Sequence, residues 1–449
     1  MVSSILSDYY RVPDEGLARV CAPPLSGEDG FFLFGPDVIC YGKSATGVSP
    51  EIENAGRFDA SRNANLKNSE VHLPFNPVQV VENLLRERYV KQRPAKNGRM
   101  VDLPIVRSTY YAVRELLPVS IRKHLQKFYL GDWSRLLFPR WPVDFTVDTL
   151  HERILRLSMQ ANGIQRMPFI WFWPNGAPNA LIVTHDVETA AGRDFTRELI
   201  DLDEAHGIRA SFQVIPEKRY EVPDEYVALI RSRGFEFNIH DLNHDGQLYQ
   251  ERQLFLQRSK KINSYVKKFA TNGFRAGVMY RNLDWYDAYE MSYDMSMPNV
   301  AHLEPQRGGC CTVFPYFVGK ILEIPLTTCQ DYSLFQILND YSIDLWKQQL
   351  ALLRKRNGLM SFIAHPDYLI DAGARKVYES LLQYLQQMVQ REKIWMALPG
   401  EVDQWWRARS QMHLVQADGR WTVEGPQSDQ AKVAFAVLDG DNLRYEVTP

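Results

Sequence analysis

Two pairs of side chains with metal-binding chemistry follow two apolar, strand-like segments. Asp186 and Glu188 end the first segment, and His240 and His244 come at the end of the second. Parallel strands bring their carboxyl ends to one edge of a sheet, so we expect these four side chains to meet. If the chain turns helical after His240, the four-residue spacing places both imidazoles on one side. Two histidines and a carboxylate, with a second carboxylate nearby, can hold a divalent metal and activate water.

Further polar residues lie where later strands are predicted to end. Arg275 belongs to the segment Gly-Phe-Arg, and His365 directly follows an apolar strand. A histidine in that position is typical of an active site. Asp331 is our candidate for orienting His365, with Asp294 and Asp367 as alternatives, because the sequence does not show which carboxylate lies beside it.

Strand-like and helix-like segments alternate from residue 179 to about 409, which is typical of parallel strands joined by right-handed helical crossovers. The predicted strands are 180–187, 209–215, 235–241, 273–279, 321–327, 358–364 and 394–398, and the helices between them are 195–206, 224–233, 247–270, 342–356 and 372–391. Glu323 and Asp331 both flank the strand at 321–327. About seven strands predict an α/β fold, a distorted (β/α)7-type barrel. No glycine-rich phosphate loop follows the first strand, which argues against a nucleotide-binding fold.

Two segments flank the predicted barrel, which spans 146–410. Residues 1–145 read as an N-terminal α+β extension of unknown role, with a basic amphipathic helix at 120–130. Residues 411–449 alternate apolar and polar side chains around two Asp-Gly turns. They therefore predict a small C-terminal β appendage made of two hairpins.

Composition limits the classes of partner. The 449 residues are 45% hydrophobic, carry a formal net charge of −2 and include five cysteines. A near-neutral chain gives no reason to expect a nucleic-acid partner, and so few cysteines argue against a disulfide framework. We find no secretory signal and no transmembrane segment, and we therefore expect a cytoplasmic protein. The oligomeric state is left open.

Taken in chain order, these motifs resemble those of the polysaccharide deacetylases (carbohydrate esterase family 4, the NodB-homology domain). That family has a distorted (β/α) barrel and removes acetyl groups from sugars with a bound divalent metal. The resemblance implies that Asp186 is the catalytic base and that His240 and His244 bind the metal. It also implies that Arg275 holds the base and that His365 is the general acid.

The resemblance covers about residues 179–410 and includes one departure. The common family motif has two consecutive acids, whereas Val187 occupies the second of those positions here. Some members instead use Asp-x-Asp, with the later acid on the metal; Glu188 fits that variant with one extra methylene, and we assign Glu188 to the metal on that basis. His185, which precedes the base, is expected to pack against the barrel.

These observations predict a metal-dependent hydrolase that removes N-acetyl groups from an N-acetylhexosamine-containing glycan or glycan precursor. Zinc is the first choice of metal, although cobalt, nickel and manganese also suit such ligands. Two alternatives stay open. One is a related hydrolase that cleaves a C–N bond in a non-sugar amide. The other is a non-catalytic glycan-binding or assembly protein whose site has decayed at Val187.

Overall fold

A computed structural model describes residues 4–13, 15–90 and 130–448 of the chain. The helix predicted at 120–130 lies outside the described residues apart from its last residue. Among the described residues, no helix combines the length and the apolar character needed to cross a membrane.

The strands and helices are numbered separately in chain order. The strands are β1 (Arg19–Cys21), β2 (Gly30–Leu33), β3 (Ile39–Gly42), β4 (Asn65–Lys67), β5 (Glu70–His72), β6 (Arg166–Ile170), β7 (Ala180–Val187), β8 (Ala210–Val214), β9 (Glu236–His240), β10 (Gly273–Arg275), β11 (Tyr293–Asp294), β12 (Tyr316–Val318), β13 (Ile321–Glu323), β14 (Leu359–Ala364), β15 (Trp395–Met396), β16 (His413–Ala417), β17 (Arg420–Glu424), β18 (Val433–Asp439) and β19 (Asn442–Val447). The helices are α1 (Ser4–Tyr10), α2 (Pro77–Leu85), α3 (Thr146–Ala161), α4 (Ala190–Ala205), α5 (Asp224–Ser232), α6 (Arg252–Lys268), α7 (Asp344–Lys355), α8 (Pro366–Leu369), α9 (Ala372–Glu392) and α10 (Pro399–Gln411).

The main sheet confirms the predicted distorted α/β barrel. Its strand order is β12-β13-β11-β10-β9-β8-β7-β14, and β15 pairs with the start of β7. Apart from the antiparallel hairpin β12–β13, all these neighbours are parallel. Every residue of β7 and of β14 is buried, as expected for central strands covered on both faces. The carboxyl ends of these strands therefore form one buried edge.

The sheet curls into a half-barrel whose two ends are joined by side chains. Among the described residues, β14 and the β12–β13 hairpin share no backbone ladder. Thr327 Oγ1 donates to the carbonyl of Leu359 at 2.8 Å, and Thr328 Oγ1 donates to that of Ser361 at 2.7 Å. Threonine hydroxyls thus take the place of the missing strand-to-strand bonds.

The two tail hairpins that the sequence predicts are confirmed as β16–β17 and β18–β19. Strand β18 also pairs in antiparallel fashion with β6, which lies directly before the main sheet in the chain. The beginning of the described chain packs at the same place. The hydroxyls of Tyr10 and Tyr445 lie 2.7 Å apart, and the Arg11 guanidinium donates to the carbonyl of Met412 at 2.8 Å. The tail is therefore integrated with earlier parts of the chain.

Candidate active site

Strand geometry explains the spacing of the two acids at the end of β7. Alternate residues of a strand point to opposite faces, so Asp186 and Glu188 project together and Val187 projects the other way. Val187 is fully buried, and His185 on its face contacts Asp203 of α4 through Nε2 at 2.8 Å. An acid at position 187 would point away from the site. The Asp-x-Glu arrangement places both carboxylates on the same side.

Glu188, His240 and His244 form a cluster that fits a divalent metal. Their donor atoms all lie within 4.8 Å of one another. Glu188 Oε1 is 3.0 Å from His244 Nε2 and 4.0 Å from His240 Nε2. Both Nε2 atoms are buried and form no well-aligned hydrogen bond, although Glu188 Oε1 lies close to that of His244, and a shared cation would satisfy all three groups. Two bare imidazole nitrogens and a carboxylate are a donor set that zinc and similar ions accept.

Neighbouring groups orient the His240 ring and keep Glu188 ionised, and both effects favour the binding of a cation. His240 Nδ1 lies 3.1 Å from the carbonyl of Arg275 and keeps its proton there, so Nε2 faces the cluster and gives up its own proton when a cation binds. Burial by itself would raise the pKa of Glu188. The neighbouring His244 and His240 outweigh that effect and hold the pKa well below its ordinary value. Glu188 is therefore a carboxylate at neutral pH.

A loop, not a helix, brings the two histidines together. The helical turn that we considered after His240 is not formed, because Asp241 and His244 adopt left-handed backbone conformations with φ of 55° and 54°. The two imidazole centroids are nevertheless 4.9 Å apart. Arg219 fixes the loop by donating to the carbonyls of Asn243 at 3.3 Å and His244 at 2.7 Å.

Asp186 lies beside the cluster and is held by Arg275. The Arg275 Nη1 atom donates to Asp186 Oδ1 at 2.7 Å and to Thr184 Oγ1 at 2.8 Å, and its Nε donates to the Met295 carbonyl at 3.0 Å. Burial would raise the pKa of Asp186, but Arg275, His240 and His365 together lower it. The other oxygen, Oδ2, lies 3.9 Å from His240 Nε2. Asp186 therefore presents an ionised, partly free carboxylate at the cluster.

His365 faces the cluster from β14, and Asp331 is the acid that contacts it. Asp331 Oδ1 lies 2.6 Å from His365 Nδ1, and its Oδ2 accepts the backbone N–H of His365 at 2.7 Å. His365 Nε2 lies 3.8 Å from Glu188 Oε1. Burial would lower the pKa of His365, but Asp331 and, less strongly, Glu188 raise it to about 10. His365 is therefore protonated at neutral pH.

The alternative acids lie elsewhere. Asp294 accepts the hydroxyl of Tyr286 at 2.6 Å, and Glu323 is paired in register with Asp294 and accepts the Met297 N–H at 2.9 Å. Asp367, which we considered only as a partner of His365, instead accepts the Glu188 N–H at 3.1 Å. Asp367 thus supports the backbone of a cluster residue. Its position two residues after His365 is the only sequence signal for that role.

The loop after β10 packs tightly against the cluster. A Cβ atom at Gly277 would lie 2.6 Å from Asp241 Oδ2 and 2.8 Å from His244 Cδ2, so only glycine fits there. The next residue, Val278, has φ of 61°, a strained value for a β-branched side chain. Strain of this kind is often found at functional sites. The N–H of Tyr280, at the end of this loop, donates to the Gly277 carbonyl at 3.3 Å.

Comparisons with known proteins give matches among solved structures. No protein-family model matches the chain, and no curated protein matches it. A protein from Mycobacterium smegmatis assigned to the polysaccharide deacetylases is 18% identical with a TM-score of 0.42, over 54% of this chain and 94% of that one. One from Bordetella bronchiseptica, assigned to the same group and to O-antigen biosynthesis, is 16% identical with a TM-score of 0.31, over 52% and 86%.

A third similar structure is the peptidoglycan deacetylase PdaC from Bacillus subtilis. It is 11% identical with a TM-score of 0.32, over 50% of this chain and 90% of that chain. All three structures are of the kind that the sequence motifs resemble. At these identities and TM-scores the matches establish no function, which depends on this chain's own residues.

Proposed function

We propose that this protein is a divalent-metal-dependent hydrolase that removes N-acetyl groups from an N-acetylhexosamine-containing glycan or glycan precursor. The observation that carries the proposal is that the buried Nε2 atoms of His240 and His244 converge on the ionised Glu188 without forming a well-aligned hydrogen bond. An ionised Asp186 and a protonated His365 stand on either side of this cluster. A water-activating hydrolase needs this combination of cation ligands, base and acid.

Glu188, His240 and His244 would hold the metal, with zinc as the first choice and cobalt, nickel or manganese as substitutes. When bound, such an ion lowers the pKa of water from 15.7 to about 7 and polarises a carbonyl group. Asp367 and Arg219 would keep the ligands in place, because they bond to the backbone of Glu188 and His244.

Asp186 is the proposed general base. Its Oδ1 is occupied by Arg275, so Oδ2 is the atom that accepts a proton from the attacking water. Because Arg275, His240 and His365 lower its pKa against the effect of burial, the carboxylate is ionised and ready to accept that proton at neutral pH. Arg275 also fixes the direction of the carboxylate, since its own Nε is anchored on Met295.

His365 is the proposed general acid. An amide nitrogen is a poor leaving group unless it is protonated, so deacetylation needs a donor beside the nitrogen. Asp331 engages Nδ1, which leaves the Nε2 proton of the imidazolium directed toward the cluster. The proton passes from Nε2 to the departing amine, and the products are acetate and a free amino sugar.

A sugar substrate is supported by the motif resemblance and by two tyrosines beside His365. Tyr332 and Tyr368 are both half-buried, and the ring of Tyr368 lies 5.3 Å from the imidazole. Aromatic faces offer apolar contact area to the C–H faces of a pyranose ring. We therefore expect Tyr368→Ala to raise the KM for an acetamido sugar more than Tyr368→Phe.

The test combines metal analysis with acetate release. We expect Glu188→Ala and His240→Ala each to lose one metal ion per chain together with activity on acetamido sugars. Asp186→Asn is the matched control, because it should keep that ion and still release no acetate. If the unsubstituted protein binds no metal at this site even after reconstitution, the proposal is wrong.

The same assays separate the two alternatives. Activity on simple amides or imides but not on acetamido sugars would favour a non-sugar hydrolase. Glycan binding without a metal would favour a binding protein. The reason for suspecting a decayed site was Val187, and that reason is weakened because Glu188 supplies the carboxylate on the cluster side of the strand.

A cytoplasmic location belongs to the same proposal. A deacetylase in that compartment would act on a lipid-linked or otherwise unexported precursor. Fractionation of cells that express the native protein tests this point. Recovery of the protein only in a periplasmic or extracellular fraction would overturn the location and leave the chemistry unaffected.

A further inference from the structure

A second set of metal-binding side chains lies on the small sheet β1-β5-β4 of the N-terminal extension. Strands β1 and β5 are parallel, and their register places Cys21 directly opposite His72. Glu70 lies two residues before His72 and therefore on the same face of β5. The ladder thus brings a thiol, an imidazole and a carboxylate to one face.

These three side chains are close enough to share one ion. Their donor atoms lie within 4.8 Å of one another, and His72 Nε2 is 3.2 Å from Glu70 Oε2. The side chains of His72 and Glu70 are 38% and 31% exposed, so an ion can reach them from solvent. Burial and the Glu70 carboxylate raise the pKa of the Cys21 thiol, and binding would therefore release a proton.

We propose that Cys21, Glu70 and His72 bind a zinc-like divalent cation, with water completing a tetrahedral shell. Thiolate, imidazole and carboxylate are the three side-chain ligands that zinc uses in proteins. The ion would join β1 to β5 and so fix the N-terminal strand to the sheet. This site is separate from the cluster at the edge of the main sheet and does not depend on the function proposed above.

Two cations on the same face oppose binding and offer a way to tune it. Arg19 Nη1 lies 3.8 Å from Glu70 Oε1, and Lys67 is in register with Glu70 on the other side. Arg19 is 80% exposed, so its effect is screened by solvent. We expect Arg19→Gln to tighten metal binding by about threefold, the effect of one exposed charge at this distance.

Cobalt distinguishes the two sites because only this one contains sulfur. Metal-free full-length protein is titrated with Co²⁺ under a non-thiol reductant, and the near-ultraviolet sulfur-to-cobalt band is followed. We expect two bound ions, one of which produces the band. Cys21→Ser should abolish the band and keep one ion, and His72→Ala should weaken the affinity at least tenfold. Glu188→Ala should lose the other ion and keep the band.

The controls show which site fails. The ion that Cys21→Ser retains demonstrates that the variant is folded. The other cysteines, Cys40, Cys310, Cys311 and Cys329, are buried. A band that survives in Cys21→Ser, or the absence of any band from the unsubstituted protein, would overturn the second site without affecting the deacetylase proposal.

Discussion

Three polar residues at the candidate site, Asp186, His240 and His365, have one atom tied to the fold and another left for chemistry. Arg275 engages Asp186 Oδ1, and Asp331 engages His365 Nδ1. In the same way, the Arg275 carbonyl lies against Nδ1 of His240. The remaining atoms, one oxygen and two Nε2 nitrogens, face one small region. This division orients the groups before any substrate arrives, which reduces the reorganisation that the reaction requires.

Asp331 is expected to keep His365 protonated and therefore able to act as an acid. Asp331→Asn removes the charge that raises the pKa of His365, so the imidazole should be largely neutral and a poor acid at neutral pH. We expect kcat for deacetylation to fall by about 100-fold with the metal content unchanged. His365→Gln and the double variant are measured alongside it. The double variant should lose no more activity than the more damaging of the two single variants. Additive losses would mean that Asp331 acts independently of His365.

Residue types and spacing predict much of this site from the sequence. The metal cluster could be proposed because its members end strands whose carboxyl ends meet. Asp331 was our first choice over Asp294 and Asp367, but the sequence could not decide between them, because side-chain pairing across strands depends on register. The support that Asp367 gives to Glu188 was likewise invisible, since it is a backbone contact between separate segments.

At the scale of elements, the loop after β10 determines the position of His244. Gly277→Ala places a methyl group against Asp241 and His244, and neither can move freely because both lie in left-handed backbone conformations. We expect metal affinity to fall at least tenfold. Gly56→Ala is the matched control, because its nearest neighbour is 3.9 Å away. Equal metal affinity in the two variants would show that the loop does not position the ligand.

Strand β9 begins with a half-buried acid, Glu236, that makes stability depend on pH. Glu236 accepts the N–H of Gly400 at 2.9 Å and contacts Asn238 and Tyr293. Burial, aided by nearby carboxylates, raises its pKa from 4.5 to about 7. At a pH between these two pKa values, Glu236 keeps its proton in the folded protein and has lost it in the unfolded chain. The contribution of Glu236 to the free energy of unfolding therefore falls as pH rises from about 4.5 to 7.

Glu236→Gln should remove this contribution because an amide does not ionise. In the unsubstituted protein, Glu236 lowers the free energy of unfolding by up to about 3 kcal/mol over that pH range. We expect the variant to lack this decrease. Denaturant unfolding at several pH values measures the difference. The exposed Glu225→Gln serves as the control, and a pH profile unchanged by Glu236→Gln would contradict the prediction.

Long periodic elements were predictable, whereas short ones and their partners were not. The apolar run of β7 was placed correctly to the residue, because a strand buried on both faces reads as a continuous apolar segment. Strand β11 has two residues, too few for a pattern. The predicted strands at 273–279 and 321–327 are shorter in the structure, because the chain turns after Arg275, whereas beyond Glu323 the pairing is reduced to a bridge between Leu326 and Pro298.

At the scale of the whole molecule, a buried ion pair joins the N-terminal extension to the barrel. Glu87 and Arg281 have side chains 6% and 0% exposed, and Arg281 Nε donates to Glu87 Oε2 at 2.9 Å. Glu87→Ala leaves a buried, unpaired guanidinium. We expect it to lower the free energy of unfolding by about 3–5 kcal/mol.

Denaturant unfolding tests this contribution, with the exposed pair of Glu204 and Arg233 as the comparison. Glu204→Ala removes a carboxylate from a pair in contact with solvent, and it should have little effect. Similar small losses in both variants would show that the extension is held to the barrel by other contacts.

The pairing of β6 with β18 has a consequence for synthesis on the ribosome. β6 is made before every strand of the main sheet, yet its partner among the described residues is one of the last segments to be translated. The backbone N–H and C=O groups of β6 therefore lack their β18 partners while the barrel strands emerge from the ribosome. Vectorial folding of the barrel can proceed, but the β6 sheet closes only near the end of translation. Nascent chains stalled before residue 433 should consequently be more sensitive to proteases around residues 166–170 than the released protein.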